Sequence, residues 1–179
     1  FWITVPGAGK LIWNWHMSVL CEELQACAER VFKNEAKLHD LVINVPPGTS
    51  KSTLLSILFP AWVWSRMPTA RFIMASHTDS LVIDLAGKCR SVIESDKYKS
   101  AFPNVRLKRD KSAVGDFANT LGGERKSCTV AGKSPTGRHA HWLIVDDPID
   151  PKKVLSEVEL ATAKDFMENV LPTRKVDKG

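Results

Sequence analysis

The sequence predicts an α/β domain in which a mostly parallel sheet carries helices on both faces. Three short apolar runs, at 41–45, 71–76 and 142–145, are bounded by turn residues, as expected of strands covered on both sides. Stretches with helical periodicity follow each of these runs, and alternation of this kind indicates a parallel sheet. At 179 residues the chain is long enough for one such domain with a buried core.

The first elements follow from the spacing of apolar residues. Steps of three and four residues predict an amphipathic helix from His16 to about Phe32. The run at 41–45 predicts the first strand, and a helix from about Lys51 to Arg66 follows it. Pro60 lies inside that helix and lacks the N–H that would bond the carbonyl four residues back, so we expect a kink or a break there.

The second half of the chain continues the alternation. The strand at 71–76 leads through a turn into a second helix, whose apolar stripe consists of Val82, Leu85, Ala86, Cys89, Val92 and Ile93. The segments 116–121 and 124–131 flank Gly122-Gly123, a dipeptide that fits a two-residue hairpin turn. Ser156 and Glu159 form a capping box at the start of the last helix. Its predicted stripe is Leu160, Ala163, Met167, Val170 and Leu171.

Composition sets broad limits on function. The formal charge of +5 permits contact with nucleic acid, and a solvated basic surface explains it equally well. No apolar run approaches the roughly 20 residues that span a bilayer, so we expect no membrane association. The four cysteines form no C-x-x-C pair, which favours reduced thiols buried among apolar neighbours. The sequence begins at Phe1 without a Met, which is typical of a piece of a longer protein.

The turn after the first strand has the layout of a phosphate-binding loop. In such a loop, backbone N–H groups and a helix N-terminus face one concavity, a lysine reaches the terminal phosphates, and the next hydroxyl binds Mg²⁺. Lys51 and Ser52 supply the last two features, while Val45 and Ser50 stand where the usual pattern has glycines. The predicted nucleotide-binding residues are Pro47, Gly48, Thr49, Ser50, Lys51, Ser52 and Thr53.

Two carboxylates follow the strand at 142–145. Because ligands collect at the carboxyl ends of parallel strands, Asp146 is placed to hold Mg²⁺ together with Ser52. Asp147 comes next and is placed to polarise an attacking water, a role often filled by Glu. The alternative is a strand that ends in a solvated acidic turn, since Asp-Asp-Pro is also good turn chemistry.

Taken together, these motifs resemble the ATPase domain of the large terminase subunit, the DNA-packaging motor of tailed bacteriophages. The similar blocks are 46–52, 59–62, 75–77, 136–138 and 143–148, and the resemblance covers nearly the whole chain. It implies a RecA-like P-loop NTPase fold, with residues 1–179 forming a single N-terminal ATPase domain. It also implies ATP as substrate, Mg²⁺ as cofactor, and coupling of hydrolysis to translocation of double-stranded DNA into a procapsid. The implied partners are DNA, a homo-oligomeric ring on a portal protein, and the small terminase subunit, all in the host cytoplasm.

Two departures from that family affect the predicted mechanism. Family loops often carry an arginine just before the Lys-Ser pair, and this loop has none. The predicted catalytic set is therefore Lys51, Asp147 and Arg138, with Arg138 reaching a neighbouring subunit and Arg125 and Arg174 as competing candidates. The chain also ends before the later coupling motif and the nuclease domain, so no DNA cleavage is expected of this piece.

Other interpretations remain open from the sequence. A helicase-like ATPase acting alone on nucleic acid, or a nucleotide-binding module that does not turn over, would also carry these motifs. Lys108, Arg109 and Lys111 form a basic cluster that is read as a solvated loop, with contact to DNA phosphates as the alternative. His139 and His141 are read as polar surface residues, because no third metal ligand lies at a suitable spacing. Trp2, Trp13 and Trp15 are read as packing residues, with stacking on adenine as the alternative.

Overall fold

The structure, a computed structural model, contains a mixed five-stranded sheet. It describes residues 10, 12–112, 114–132 and 139–176, and the side chains of 110–112 are outside that description. The strands are β1 (Arg71–Ser76), β2 (Leu107–Ser112), β3 (Phe117–Asn119), β4 (Glu124–Thr129) and β5 (Trp142–Val145). Their order across the sheet is β2-β3-β4-β1-β5.

The prediction of a mostly parallel sheet is wrong. Strands β4, β1 and β5 run parallel, but β3 pairs antiparallel with both β4 and β2. The physical reason is the connection length. Only a few residues join β3 to β4 and β2 to β3, whereas a parallel pair needs a crossover of a dozen residues or more.

The helices precede and follow the strands as the α/β pattern predicts. They are α1 (Trp15–Phe32), a π-helical segment (Thr53–Leu58) that continues into α2 (Phe59–Arg66), α3 (Asp79–Glu94), α4 (Asp96–Ala101) and α5 (Glu157–Asp165). A second π-helical segment (Phe166–Val170) extends α5, and short 3₁₀ turns lie at Pro151–Lys153 and Pro172–Arg174. None of the helices in the described ranges is long and apolar enough to cross a membrane.

Helices cover both faces of the sheet, as predicted. Successive residues of a strand point to opposite faces, and β1 shows this directly. Phe72 and Met74 pack in a core with α1, α2 and α3, whereas Ile73 and Ala75 pack in a second cluster on the other face. That second cluster is completed by Cys128, Val130, Ala140, Ala163, Phe166 and Leu171. Strand β1 is therefore the centre of the fold.

The predicted first strand at 41–45 is not a strand. The segment has no regular structure, and Val42 is 87% exposed. Leu41, Val42 and Ile43 instead line a groove of about 600 Å³ together with residues of β5 that include Leu143 and Val145. A short apolar run is compatible with a buried strand but fixes neither backbone pairing nor burial, which explains the error.

The kink expected at Pro60 takes the form of a π-helical turn. The Phe59 N–H donates to the carbonyl of Leu54, five residues back, and α2 then begins with Pro60 in its first turn. Pro60 is fully buried. The wider turn accommodates a residue that can make no bond to a carbonyl four residues back, so the helix is deformed but not broken.

The predicted hairpin forms, although its loop is longer than two residues. The Asn119 N–H donates to the Gly123 carbonyl at 2.9 Å, and Gly122 has φ +96°. Lys108 and Arg109, predicted in a solvated loop, belong instead to the edge strand β2. Pairing with β3 gives that polar segment backbone partners that its sequence does not reveal.

The last helix is capped as predicted but is less regular. The Ser156 side chain accepts a hydrogen bond from the Glu159 N–H at 3.5 Å. Of the predicted stripe, Ala163 and Leu171 are buried, whereas Leu160 and Met167 are about half exposed at 45% and 46%. The π-helical segment changes the angular step, so an α-helical period mispredicts which residues face the sheet.

Candidate functional site

The candidate site lies at the carboxyl ends of β1 and β5. These strands are parallel neighbours with Ala75 opposite Val145, so the residues that follow them emerge side by side. The Asp146 N–H donates to the Ala75 carbonyl at 2.9 Å, which continues the ladder by one step. The loop at 46–50 and the helix start at Lys51 reach the same edge. Ligands of open α/β sheets bind at this kind of position.

Lys51 joins the two sequence motifs. Its Nζ lies 3.1 Å from Oδ1 of Asp146 and 2.5 Å from Oδ1 of Asp147. The Asp146 side chain is buried at 4% exposure, Lys51 is 23% exposed, and Asp147 is 50% exposed. The structure therefore brings together the three side chains that the sequence placed in one site.

The charge state of Lys51 follows from these contacts. Burial is the largest single influence and lowers the pKa of the Lys51 ammonium. The hydrogen bonds to Asp147 and Asp146, with the charges of both carboxylates, outweigh it, so the net effect raises that pKa. Lys51 is a firmly charged cation at neutral pH.

The loop before Lys51 is a tight turn with left-handed backbone positions. Gly48 has φ +79° and Ser50 has φ +65°, so two of three successive residues are left-handed. Ser50 occupies a position where the usual pattern has glycine, and this conformation costs a non-glycine residue about 1–2 kcal/mol. The Thr49 hydroxyl donates to the Pro46 carbonyl at 2.7 Å and closes the turn.

The helix after the loop begins at the site, since the Lys51 side chain on its first turn contacts Asp146 and Asp147. Its first backbone bond runs from the Leu54 N–H to the Ser50 carbonyl at 2.9 Å. The amides that come before Leu54 lie in the first helical turn, where N–H groups have no partner within the helix. Such amides and the helix dipole favour an anion.

The donor set fits a magnesium ion completed by phosphate oxygens. Within the described residues, the Ser52 hydroxyl makes no side-chain hydrogen bond, and it lies on the residue next to Lys51. Asp146 contributes a buried carboxylate, so both groups are the hard oxygen ligands that Mg²⁺ prefers. Within the same residues no group of three or more His, Cys, Asp or Glu side chains is arranged around a metal position. Mg²⁺ is usually held by one or two carboxylates together with substrate phosphates.

Ser56 is a site residue that the sequence analysis missed. It is buried at 1% exposure on the first π-helical segment, and its hydroxyl donates to Oδ2 of Asp146 at 3.3 Å. Asp146 therefore has Lys51 at one oxygen and Ser56 at the other. The available signal was its position four residues after Ser52, which places both hydroxyls on one side of a helix.

Two histidines also contact the site without a sequence signal. The Nε2–H of His16, on α1, donates to the Thr49 carbonyl at 3.1 Å and fastens the loop to that helix. His77 follows β1, and its ring Nδ1 lies 2.9 Å from the backbone carbonyl of Asp147. Neither contact is predictable from spacing, because both join residues far apart in the chain.

The three arginines proposed to act on a neighbouring subunit lie in different places. Arg138 lies outside the described residues, so its role stays a prediction. Arg125 is fully buried on β4, with Nη1 3.0 Å from the Ser127 hydroxyl and its guanidinium 5.7 Å from the centre of the Phe117 ring. It is therefore not placed to reach a neighbouring subunit. Arg174 is half-buried in the last 3₁₀ turn.

The remaining predicted residues have structural contacts or lie at the surface. His139 donates from Nδ1 to the Lys175 carbonyl at 3.1 Å, and His141 accepts the Arg71 N–H at 3.0 Å, so both bind backbone. Cys89 and Cys128 are buried, whereas Cys21 and Cys27 are half-buried, and all four are free thiols. Trp13 and Trp15 are exposed at 54% and 75%, while Trp2 lies outside the described residues.

No protein-family model matches the chain, and no curated protein or solved structure is significantly similar to it.

Proposed function

We propose that this chain is a RecA-like P-loop ATPase domain and serves as the ATP-hydrolysing motor of a viral DNA-packaging terminase. The observation that carries the ATPase part is the convergence of Lys51 with Asp146 and Asp147, at 3.1 and 2.5 Å, beside a left-handed loop and a helix N-terminus. A solvated acidic turn would not place its carboxylates on the lysine that ends such a loop.

The loop and Lys51 bind the phosphates of ATP in this proposal. The first-turn amides of the helix face the β- and γ-phosphate oxygens, and Lys51 exchanges its carboxylate partners for the terminal phosphate. Because Asp146 also accepts the Ser56 hydroxyl, it keeps a hydrogen-bond partner when Lys51 moves. The two carboxylates thus position the Lys51 ammonium at the site before a phosphate binds.

Ser52 and Asp146 would hold Mg²⁺. When bound, the ion neutralises charge that develops on the transferred phosphoryl group. The more exposed carboxylate, Asp147, is free on one side to orient and polarise the attacking water, since it is 50% exposed. Arg138, in trans, would supply further stabilisation of the transition state, a contribution worth about 10³- to 10⁵-fold in rate.

The step from ATPase to packaging motor rests on the resemblance of the short sequence blocks. Their order along the chain, from the loop at 46–52 to the acidic strand end at 143–148, resembles that of large terminase subunits. The corresponding partners are double-stranded DNA, other copies of this chain in a ring, a portal protein and the small terminase subunit.

A nucleotide-binding module that does not turn over is the second candidate. The observation in its favour is that Lys51 is bound to both carboxylates, one of them Asp147 in the place of the usual Glu. Ser50, left-handed at a position where the usual pattern has glycine, also favours the module that does not turn over.

The motor and the inert module are separated by one assay. Phosphate release is measured against protein concentration, with and without double-stranded DNA. The motor predicts a low rate per subunit in dilute protein that rises with assembly. A rate per subunit that stays flat and high would contradict the trans-acting arginine. Tight Mg²⁺-ATP binding without phosphate release at any concentration would favour the inert module.

A further inference from the structure

Asp147 has a backbone conformation that the site requires. Its φ is +49°, in the left-handed region, which carries a cost even for Asp. Successive residues of an extended strand point to opposite sides, yet the carboxylates of Asp146 and Asp147 both contact Lys51. The left-handed turn at Asp147 is what lets two adjacent carboxylates converge on one cation.

A single residue on the neighbouring strand end fixes that turn. The Asp147 carbonyl accepts two hydrogen bonds from His77, one from its backbone N–H at 3.2 Å and one from its ring Nδ1–H at 2.9 Å. A carbonyl can only accept, so the ring proton must reside on Nδ1 in this contact. The backbone bond extends the pairing of β1 with β5 beyond the strands, and the ring bond adds a side-chain restraint.

We propose that His77 is the positioning residue that holds the Asp147 carboxylate in its working orientation. By fixing the Asp147 carbonyl, His77 fixes the peptide that carries the left-handed turn, and the direction of the carboxylate follows from it. The consequence for ATP hydrolysis rests on the proposed function, whereas the His77–Asp147 contact itself does not.

The kinetic test compares His77→Ala with His77→Asn. Asn can place its Nδ2–H near the position of the histidine Nδ1–H, whereas Ala cannot donate. We expect His77→Ala to lower kcat by about 10- to 100-fold, the size of effect that a displacement of about 1 Å produces. Affinity for Mg²⁺-ATP should stay within about twofold. His77→Asn should retain most of the activity. His39→Ala, at an exposed histidine of the 35–40 segment, is the matched control and should behave as wild type.

A double variant decides whether His77 acts through Asp147. If it does, adding His77→Ala to Asp147→Asn should cost little more than Asp147→Asn alone, because the residue being positioned is already disabled. Losses that multiply would overturn the proposal. A parallel loss of kcat and of thermal stability in both His77 variants would also overturn it, since that result indicates a purely structural role.

The contact also has a spectroscopic signature that does not depend on turnover. In ¹⁵N NMR of the wild-type protein, neutral His77 should be in the Nδ1–H tautomer, and Asp147→Asn should leave this signal in place because the acceptor is a backbone carbonyl. An Nε2–H tautomer would overturn the contact and the proposal with it. If the wild type releases no phosphate at all, the proposed function fails, and the tautomer still shows whether His77 holds Asp147.

Discussion

At the scale of single residues, the site is organised around a buried carboxylate that needs partners. Asp146 is 4% exposed, and an unpaired charge in such a place is costly. The Lys51 ammonium lies 3.1 Å from Oδ1 as an ion-pair partner, and the Ser56 hydroxyl donates to Oδ2 at 3.3 Å. Asp147 is half exposed, so water already screens its interaction with Lys51. The two adjacent carboxylates therefore have different environments, which permits different functions.

That difference predicts a division of labour between the two residues. Asp146→Asn should weaken Mg²⁺-dependent nucleotide binding, because it removes the buried ligand charge. Asp147→Asn should leave binding in place and reduce turnover, because it removes the group that polarises water. Nucleotide affinity measured with and without Mg²⁺, together with kcat, distinguishes the two effects. Equal loss of binding in both variants would contradict this assignment.

The sequence placed Lys51, Asp146 and Asp147 in one site but missed two residues that contact it. The placement of Asp146 follows from a general rule, since it comes directly after β5 and ligand-binding residues gather at the carboxyl ends of parallel strands. Lys51 reaches the same place although the segment before its loop is not a strand. Ser56 and His77 were missed because their contacts depend on a π-helical turn and on a left-handed Asp147. The four-residue step from Ser52 to Ser56 was a usable signal for Ser56, whereas the left-handed conformation of Asp147 has none in the spacing of residues.

At the scale of elements, the hairpin of β3 and β4 shows how close packing specifies a turn. An added Cβ at Gly123 would lie 2.2 Å from the Pro68 carbonyl oxygen and 2.5 Å from Nδ2 of Asn119. Both groups are already engaged, since that amide donates to the Pro68 carbonyl at 2.7 Å. The turn therefore packs against the loop before β1 with no room for a side chain.

Gly123→Ala should destabilise the fold by about 1–3 kcal/mol or more, as overpacking of a filled site does. Gly87→Ala is the matched control. Gly87 lies on α3, where the nearest atom to a new Cβ is Cγ1 of Val114 at 3.4 Å, and alanine in a helix is favoured by about 0.5–1 kcal/mol. Urea unfolding of both variants should give shifts of opposite sign. A Gly123→Ala protein as stable as wild type would show that the turn is not packed in this way.

The elements that were predicted correctly are each indicated by more than one feature of the sequence. Helix α3 combines an apolar stripe with an N-cap at Thr78, whose hydroxyl accepts the Leu81 N–H at 3.4 Å. Strand β1 contains four consecutive apolar residues, Phe72 to Ala75, and is enclosed by helices on both faces. The segment 41–45 was predicted as a strand from its apolar composition alone. The β2 sequence lacks an apolar pattern, because this polar edge strand forms through its pairing with β3. Elements specified by pairing alone were therefore missed.

At the scale of the whole molecule, buried thiols link stability to pH. Burial raises the pKa of Cys89 and of Cys128 to about 11 from an ordinary value of 9.0. Between those values the unfolded chain has released protons that the folded protein still holds, so the unfolded state binds fewer protons and the free energy of unfolding falls as pH rises. Burial shifts the pKa of Tyr98 upward as well, with the same sign.

We therefore expect these thiols to leave the free energy of unfolding unchanged below about pH 8 and to decrease it between pH 9 and pH 11. Urea unfolding at several pH values measures this decrease. A Cys89→Ala variant should show a shallower decrease, even if it is less stable at neutral pH. Stability that does not change between pH 9 and pH 11 would mean that these thiols are accessible to water in the folded protein.

The most direct test of the central claim is ATP turnover by variants of Lys51. Lys51→Ala removes the group proposed to hold the terminal phosphate, and Lys51→Gln does so while keeping a hydrogen-bond donor near Asp146. Lys37→Ala, which removes an exposed lysine paired with Asp40, is the matched control. Phosphate release should be lost in both Lys51 variants and retained in the control, with circular dichroism showing an intact fold in all three. Full ATP turnover in folded Lys51→Ala or Lys51→Gln protein would contradict the proposed nucleotide site.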